Sequence, residues 1–218
     1  MNKIHHGDCL EFMKQIPDKY FDLCLTDPPY GIGNNITYRK NQSSKRAKSK
    51  DYGNYTWNNS APTKEYFDEI FRISKNQIIF GANHFIEAIP INSSSWIVWD
   101  KDNPFSTFAN CELAWTSFKT AVRKYTYMWN GMLQADMMNK ETRVHPTQKP
   151  IKLFIAILQD YAKKGYKVFD PFMGSGSTAL ASSALDLDWC GCELELEYVN
   201  AANERLRNIQ PDMFGVAV

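Results

Sequence analysis

Nothing in the 218 residues approaches a membrane span: no apolar run is of that length, and the opening Met-Asn-Lys-Ile-His-His has no hydrophobic stretch behind its basic residue. A secretory or membrane protein is therefore not expected, and the cytoplasm is the expected compartment. Histidine is scarce, with four residues and no ligand spacing among His5, His6, His84 and His145. The five cysteines are odd in number, and Cys190-Gly-Cys192 has the wrong spacing for a Cys-x-x-Cys clip. We expect no metal, and buried free thiols at Cys9, Cys24, Cys111, Cys190 and Cys192. No Gly-Lys-(Ser/Thr) follows a glycine loop, which excludes a nucleotide-phosphate P-loop. Excess charge is missing as well: the formal net charge is +1.

What is present is ordinary in bulk and uneven in detail. Hydrophobic residues make up 44% and charged residues 22%, which suits a globular chain long enough to bury a core. A single domain over residues 1–218 is the simplest organisation. Residues 31–60 carry Arg39, Lys40, Lys45, Arg46, Lys48 and Lys50 against Asp51 alone, whereas residues 186–218 hold seven acids against Arg205 and Arg207. A nearly neutral chain can thus present one basic surface.

Strand and helix patterns alternate along the chain. Short apolar runs at Phe21–Leu25, Gln77–Phe80, Ser95–Trp99, Glu112–Phe118, Lys167–Phe169 and Asp188–Gly191 suggest strands. Helical spacing predicts helices at Cys9 to about Gln15, Pro62 to Ser74, Phe85–Ile89, Ile151 to about Lys164, Thr178–Leu185 and Glu195–Ile209. Asp8 is a candidate cap for the first of these. Thr147 and Pro150 suit the start of the Ile151 helix. Such alternation indicates an α/β fold with a mostly parallel central sheet and helices on both faces. Met128, Met132, Met137 and Met138 are expected to pack.

Two stretches carry chemistry. Thr26-Asp27-Pro28-Pro29-Tyr30 stands where the Phe21–Leu25 strand must end. Two prolines there fix φ and remove two donors, leaving a stiff turn with a carboxylate, a carbonyl and an aromatic ring together. Far downstream, Gly174-Ser175-Gly176-Ser-Thr178-Ala fits Gly-x-Gly-x-x-(Gly/Ala) between a strand and a helix, with Glu193 about twenty positions on. Its glycines permit close approach of a ligand to the backbone, and Glu193 can accept both hydroxyls of a ribose. Alone, this half also fits a nicotinamide-dependent oxidoreductase.

Asp27-Pro28-Pro29-Tyr30 resembles the catalytic motif of the DNA amino-methyltransferases, which move a methyl group from S-adenosylmethionine to an exocyclic amine of a base. Asp170-Pro-Phe172-Met-Gly174-Ser-Gly176-Ser-Thr178 resembles the cofactor loop of the same family, departing from it mildly at Ser177. His145-Pro-Thr-Gln-Lys149-Pro150 resembles the segment that precedes that loop. The order, catalytic turn first and cofactor loop about 140 residues later, resembles the circularly permuted beta class.

The resemblance implies a Rossmann-like methyltransferase fold. It implies catalytic roles for Asp27, Pro28, Pro29 and Tyr30, and S-adenosylmethionine held near Asp8, Lys149, Asp170, Phe172, Gly174, Ser175, Gly176, Thr178 and Glu193. It further implies double-stranded DNA as partner, N6 of a flipped-out adenine as target, and a context in which a cognate restriction endonuclease is the natural counterpart. Asp at the head of the turn favours adenine; N4 of cytosine is the alternative. A non-catalytic DNA-binding module of the same fold is a further rival. Residues 34–60 are read as a mobile basic insertion closing on DNA, its cations on phosphates and Tyr38, Tyr52, Tyr55 and Trp57 among them. Residues 118–146 are the other place for target recognition. Such small elements imply a short site, or a homodimer that enlarges the footprint.

Overall fold

The computed structural model describes residues 1–32, 58, 60–89, 92–103, 109–130 and 133–208. The six cations expected to meet DNA, Arg39 to Lys50, lie outside these residues, as do Tyr38, Tyr52, Tyr55, Trp57 and Met132.

Ten strands and five α-helices are formed among the described residues, with six successive strands and no α-helix between Ser74 and Gln134. The strands are β1 (Lys3–His6), β2 (Phe21–Thr26), β3 (Ser74–Phe80), β4 (Trp96–Asp100), β5 (Cys111–Thr116), β6 (Arg123–Thr126), β7 (Trp129–Asn130), β8 (Leu133–Gln134), β9 (Lys167–Asp170) and β10 (Asp188–Glu193). The helices are α1 (Cys9–Met13), α2 (Lys64–Ile73), α3 (Ile151–Tyr161), α4 (Ser177–Ala184) and α5 (Leu196–Arg207), with one 3₁₀ turn at Ala82–His84.

Eight strands form one sheet in the order β1-β10-β9-β2-β3-β5-β4-β6, and β7 pairs with β8 apart from it. Neighbours from β1 to β3 are parallel. β5 runs antiparallel to both β3 and β4, and β4 pairs in parallel with β6. Only β5 therefore runs against the rest. The β2, β9 and β10 ends, with Asp27, Asp170 and Glu193, consequently share one edge, where open α/β sheets place their ligands.

Alternation along the strands sends side chains to two cores. Leu23 and Leu25 of β2 and Ile78 and Phe80 of β3 join α3, α4 and α5 on one face. Cys24 and Ile79 join α1 and α2 on the other. Strands covered on both faces read as near-continuous apolar runs, which is why they were visible in the sequence. In α2, Phe67, Ile70 and Ile73 are fully buried, each contributing roughly 1.5–3 kcal/mol.

Several local expectations are corrected. Phe85–Ile89 is not a helix but the turns after the 3₁₀ segment, because Pro90 follows and disfavours α backbone at the residue before it. Pro150, with extended backbone, is the N-cap of α3, whereas the Thr147 hydroxyl lies 3.1 Å from His145 Nδ1. Four of the cysteines are buried free thiols, but Cys111 is exposed at the start of β5. Met137 and Met138 do not pack: they are 50% and 93% exposed beyond the short β7–β8 ladder. No described helix is long and apolar enough to cross a membrane.

Candidate active site

The turn after β2 is held from several sides. Asp27 Oδ1 accepts from the Tyr30 hydroxyl at 2.7 Å, and the Asn58 side chain accepts from the Tyr30 backbone N–H at 3.1 Å. The Tyr30 ring stacks on His84 with centroids 4.7 Å apart. It lies so close over Gly81 that a Cβ there would fall 2.1 Å from the ring; Gly81 also has φ of 64°. The glycine is what lets the aromatic ring settle beside the end of β3.

Lys149, expected near the cofactor, has an ammonium that reaches 122 residues back and donates to Asp27 Oδ2 at 2.5 Å. It also lies 3.0 Å from Glu112 Oε2, while Lys101 pairs with Glu112 Oε1 at 2.5 Å. Asp27, Lys149, Glu112 and Lys101 thus form a row of alternating charges, each at most 19% exposed. Burial and the nearby Glu112 carboxylate raise Asp27 above the usual carboxylate range, against the lowering effect of Lys149. Burial also raises Glu112, but its two lysines outweigh that and hold it at about 2. Burial raises Tyr30 well above its ordinary value, and the neighbouring carboxylates add to this, so its hydroxyl remains a donor.

The second group of residues is centred on Asp170, which turns inward. Its Oδ1 accepts from the Thr26 hydroxyl at 2.7 Å and the Phe172 N–H at 3.0 Å, and its Oδ2 from the Thr178 hydroxyl at 2.6 Å. Asp170 and Thr178, both expected at the cofactor, are buried and bonded to each other: they brace the loop. Burial is the main reason Asp170 rises to about 6.

The loop itself has Gly174 at φ 50° and Gly176 at φ 80°. A Cβ on Gly174 would come into ordinary van der Waals contact with the His145 ring, at 3.8 Å, so it is the positive φ rather than crowding that favours glycine here. A Cβ on Gly176 would crowd Ala202 at 2.9 Å, so this glycine serves helix packing. Burial, then Lys149 and Arg143, lower His145 to about 3, and the ring is neutral where it borders the loop.

Glu193 accepts from the Gly174 N–H and the Glu195 N–H, both at 2.8 Å. The Leu194 N–H also acts on this carboxylate, and of its four lone-pair sites at least one remains for a further donor. Asp8 caps α1 through the Leu10 N–H at 2.9 Å and accepts from the Tyr66 hydroxyl, staying exposed near Glu193. Phe172 is half-buried, facing Tyr66 at 6.2 Å. Ser175 is buried, and its carbonyl accepts from Arg205 at 2.5 Å. Arg205 is also paired with Glu141, whose other oxygen accepts the first N–H of α3. A glycine loop turned through two positive φ values, beside a carboxylate able to accept from a ribose, suits S-adenosylmethionine.

Sequence reasoning missed Glu112, Lys101, Asn58 and His84. Glu112 had one signal, a lone acid at the start of the otherwise largely apolar Cys111–Thr116 strand. The others had none.

Residues 114–204 match the DNA methylase family of N6 and N4 methyltransferases. Over 256 aligned positions the chain is 26% identical to the type II methyltransferase M.HinfI of Haemophilus influenzae, covering 97% of this chain and 70% of that protein. The crystal structure of M1.HpyAVI with S-adenosylmethionine superposes with a TM-score of 0.60 at 23% identity, covering 95% of this chain and 99% of that one. The cytosine-N4-specific PvuII DNA methyltransferase superposes with a TM-score of 0.59 at 15% identity, covering 97% and 90%.

The fold is that of the S-adenosylmethionine-dependent DNA methyltransferases. Within that class the matches support a DNA methyltransferase of the N6/N4 type with S-adenosylmethionine as cofactor, and they do not support a nicotinamide oxidoreductase.

Proposed function

We propose that the chain transfers a methyl group from S-adenosylmethionine to N6 of a flipped-out adenine in double-stranded DNA. The observation that carries this reading is the adjacency of β2 and β9: the strand that ends in Asp27 pairs directly with the strand that ends at the glycine loop. An amine acceptor and a cofactor cradle are thereby neighbours on one sheet edge.

An exocyclic amine is a poor nucleophile because its lone pair is delocalised into the ring. Asp27 and the Pro28 carbonyl would each accept one N–H and draw the nitrogen toward tetrahedral geometry. Tyr30, set by Pro29 at the end of the stiff turn, would stack on the base, which must leave the duplex to be reached. S-Adenosylmethionine supplies an electrophilic methyl on a sulfonium that departs as a neutral thioether. As the N–C bond forms, the amine must lose a proton. Asp27, raised above an ordinary carboxylate, is well suited to receive it. Positioning of the reactants accounts for most of the work. Phe172, Gly174 and Gly176 would line the methionine end, and Glu193 would take the ribose hydroxyls.

The basic segment Arg39 to Lys50 is assigned to DNA phosphates, residues 118–146 to target recognition, and the cytoplasm to the protein's place of action. A homodimer and a cognate restriction endonuclease are consistent with so short a recognition element. N4 of cytosine is the second reading, favoured by the shared fold of the cytosine-N4-specific enzyme.

The test is incubation with unmethylated DNA and methyl-labelled S-adenosylmethionine, followed by digestion and separation of nucleosides. Label in N6-methyladenine is expected. Label in N4-methylcytosine would replace the base assignment, and unlabelled DNA would remove the reading altogether.

A further inference from the structure

The buried charges around Asp27 include one carboxylate that no motif contains. Glu112 stands at the start of β5, the strand that runs against the others. That direction is what brings it here: the parallel strands arrive at this edge with their last residues, and β5 arrives with its first. The register sets Glu112 opposite Trp99, and Lys101 follows two residues later. The Gly81 N–H donates to the Leu113 carbonyl at 2.8 Å, which ties the segment to the place where the Tyr30 ring rests.

We propose that Glu112 is a positioning residue for methyl transfer, which together with Lys101 fixes Lys149 and the Tyr30 hydroxyl against Asp27. The inference rests on the catalytic role assigned to Asp27 above. A lysine on a four-carbon stem held by one carboxylate would retain much of its rotamer freedom. Here its ammonium has three oxygens around it: Asp27 Oδ2 at 2.5 Å, Glu112 Oε2 at 3.0 Å and the Tyr30 hydroxyl at 3.4 Å. Tyr30 has a single proton. It donates to Asp27 at 2.7 Å, with Glu112 on its far side at 3.3 Å. Glu112 thus touches both partners of the Asp27 carboxylate without touching Asp27.

The charges also close. Two carboxylates and two ammonium groups sum to zero, and removing Glu112 would leave one buried positive charge uncompensated. Glu112, held by two lysines, stays ionised at working pH, so Asp27 is the carboxylate of the pair that titrates. Lys149 and Tyr30 touch Asp27, Glu112 acts on it by charge from beyond them, Asp170 lies behind it on β9, and Lys101 acts through Glu112. Burial and Glu112 push Asp27 up, and Lys149 pulls it down. Neutralising Glu112 therefore moves Asp27 down, and activity should persist to lower pH.

The experiment compares Glu112→Gln and Glu112→Asp with the intact protein over a pH series. For Glu112→Gln we expect kcat to fall by about tenfold or more, KM for S-adenosylmethionine to stay within about twofold, and the acidic limb of kcat to move down by about one pH unit. Glu112→Asp keeps the charge and loses reach: its acidic limb should stay in place while kcat falls. An unmoved acidic limb in Glu112→Gln, or a loss carried by KM alone, would overturn the proposal. The Asp27 titration is also readable without turnover, from carboxyl carbon resonances assigned by Asp27→Asn. A downward shift in Glu112→Gln supports the inference and no shift removes it. If the intact protein transfers no methyl group, the proposed function falls, and the carbon titration still decides the part played by Glu112.

Discussion

The two halves of the site are built from different materials. Around the glycine loop, recognition surfaces are made by backbone N–H groups, hydroxyls and close chain approach: Glu193 on the Gly174 N–H, Thr178 on Asp170, and Gly191 where a Cβ would fall 2.7 Å from the Asp170 carbonyl. Around Asp27 the structure is made by full charges converging from β4, β5 and the segment before α3. The cradle's carboxylates, Asp170 and Glu193, are held by backbone N–H groups and hydroxyls and pair with no cation among the described residues. A charged cluster sets the basicity of one carboxylate and is sensitive to every member. The first is suited to binding and the second to changing a proton.

Variants can test that division, beginning with the largest effect. Asp27→Ala should lower methyl transfer by about a thousandfold or more, with cofactor affinity by calorimetry within about threefold. Substantial remaining turnover would mean that the charged cluster is not the seat of the chemistry.

Asp170 tests the other side through stability. Its carboxyl rises from 3.8 to about 6 on folding, so between these values the folded state binds more protons than the unfolded one, and stability must fall as pH rises through the window. At about 1.4 kcal/mol per unit, the loss between pH 4 and pH 7 amounts to about 2 kcal/mol relative to Asp170→Asn, measured by urea unfolding at those two values. A flat difference between the two proteins would mean that the brace titrates as in water. Asp27, Glu141 and Glu193 are raised in the same direction, which is why the comparison with Asp170→Asn is needed.

Smaller effects are expected at the boundary between the halves. Tyr30→Ala should cost roughly 1–3 kcal/mol in kcat/KM for DNA, and Tyr30→Phe much less, because stacking is retained when only the hydroxyl is lost. Equal losses would shift the weight from the ring to the hydrogen bond on Asp27. Arg205→Met frees the Ser175 carbonyl and should raise KM for S-adenosylmethionine by about fivefold with kcat nearly unchanged. A fall in kcat instead would show that the two halves are not separable.

The same division explains what could be read without coordinates. The glycine loop, Glu193 and the strand ends are local in sequence, and buried parallel strands leave continuous apolar runs. The turn at Asp27 could alone have been an ordinary rigid turn, and it stood out because the glycine loop, the segment before it and their order resemble the same family. Long-range ion pairing has no such local mark. Lys149 lies in a string that resembles a cofactor-side segment, yet its side chain belongs to Asp27, and its assignment followed the string. Glu112 and Lys101 sit in strand and loop patterns whose periodicity says nothing of partners on other strands. Asp170 was recognised as part of the loop, but its inward orientation depends on Thr26, 144 residues away.

Lys149 also belongs to both halves at once. Its ammonium holds Asp27, and its backbone carbonyl accepts from the Ser177 hydroxyl at the first residue of α4, at 2.7 Å. A shift at the start of α4 is therefore a shift at the root of the lysine. Coupling of this kind is reciprocal at equilibrium: if a filled cradle tightens the hold on a base by some factor, a captured base must tighten the cradle by the same factor. Lys149 is the covalent link along which such coupling would run.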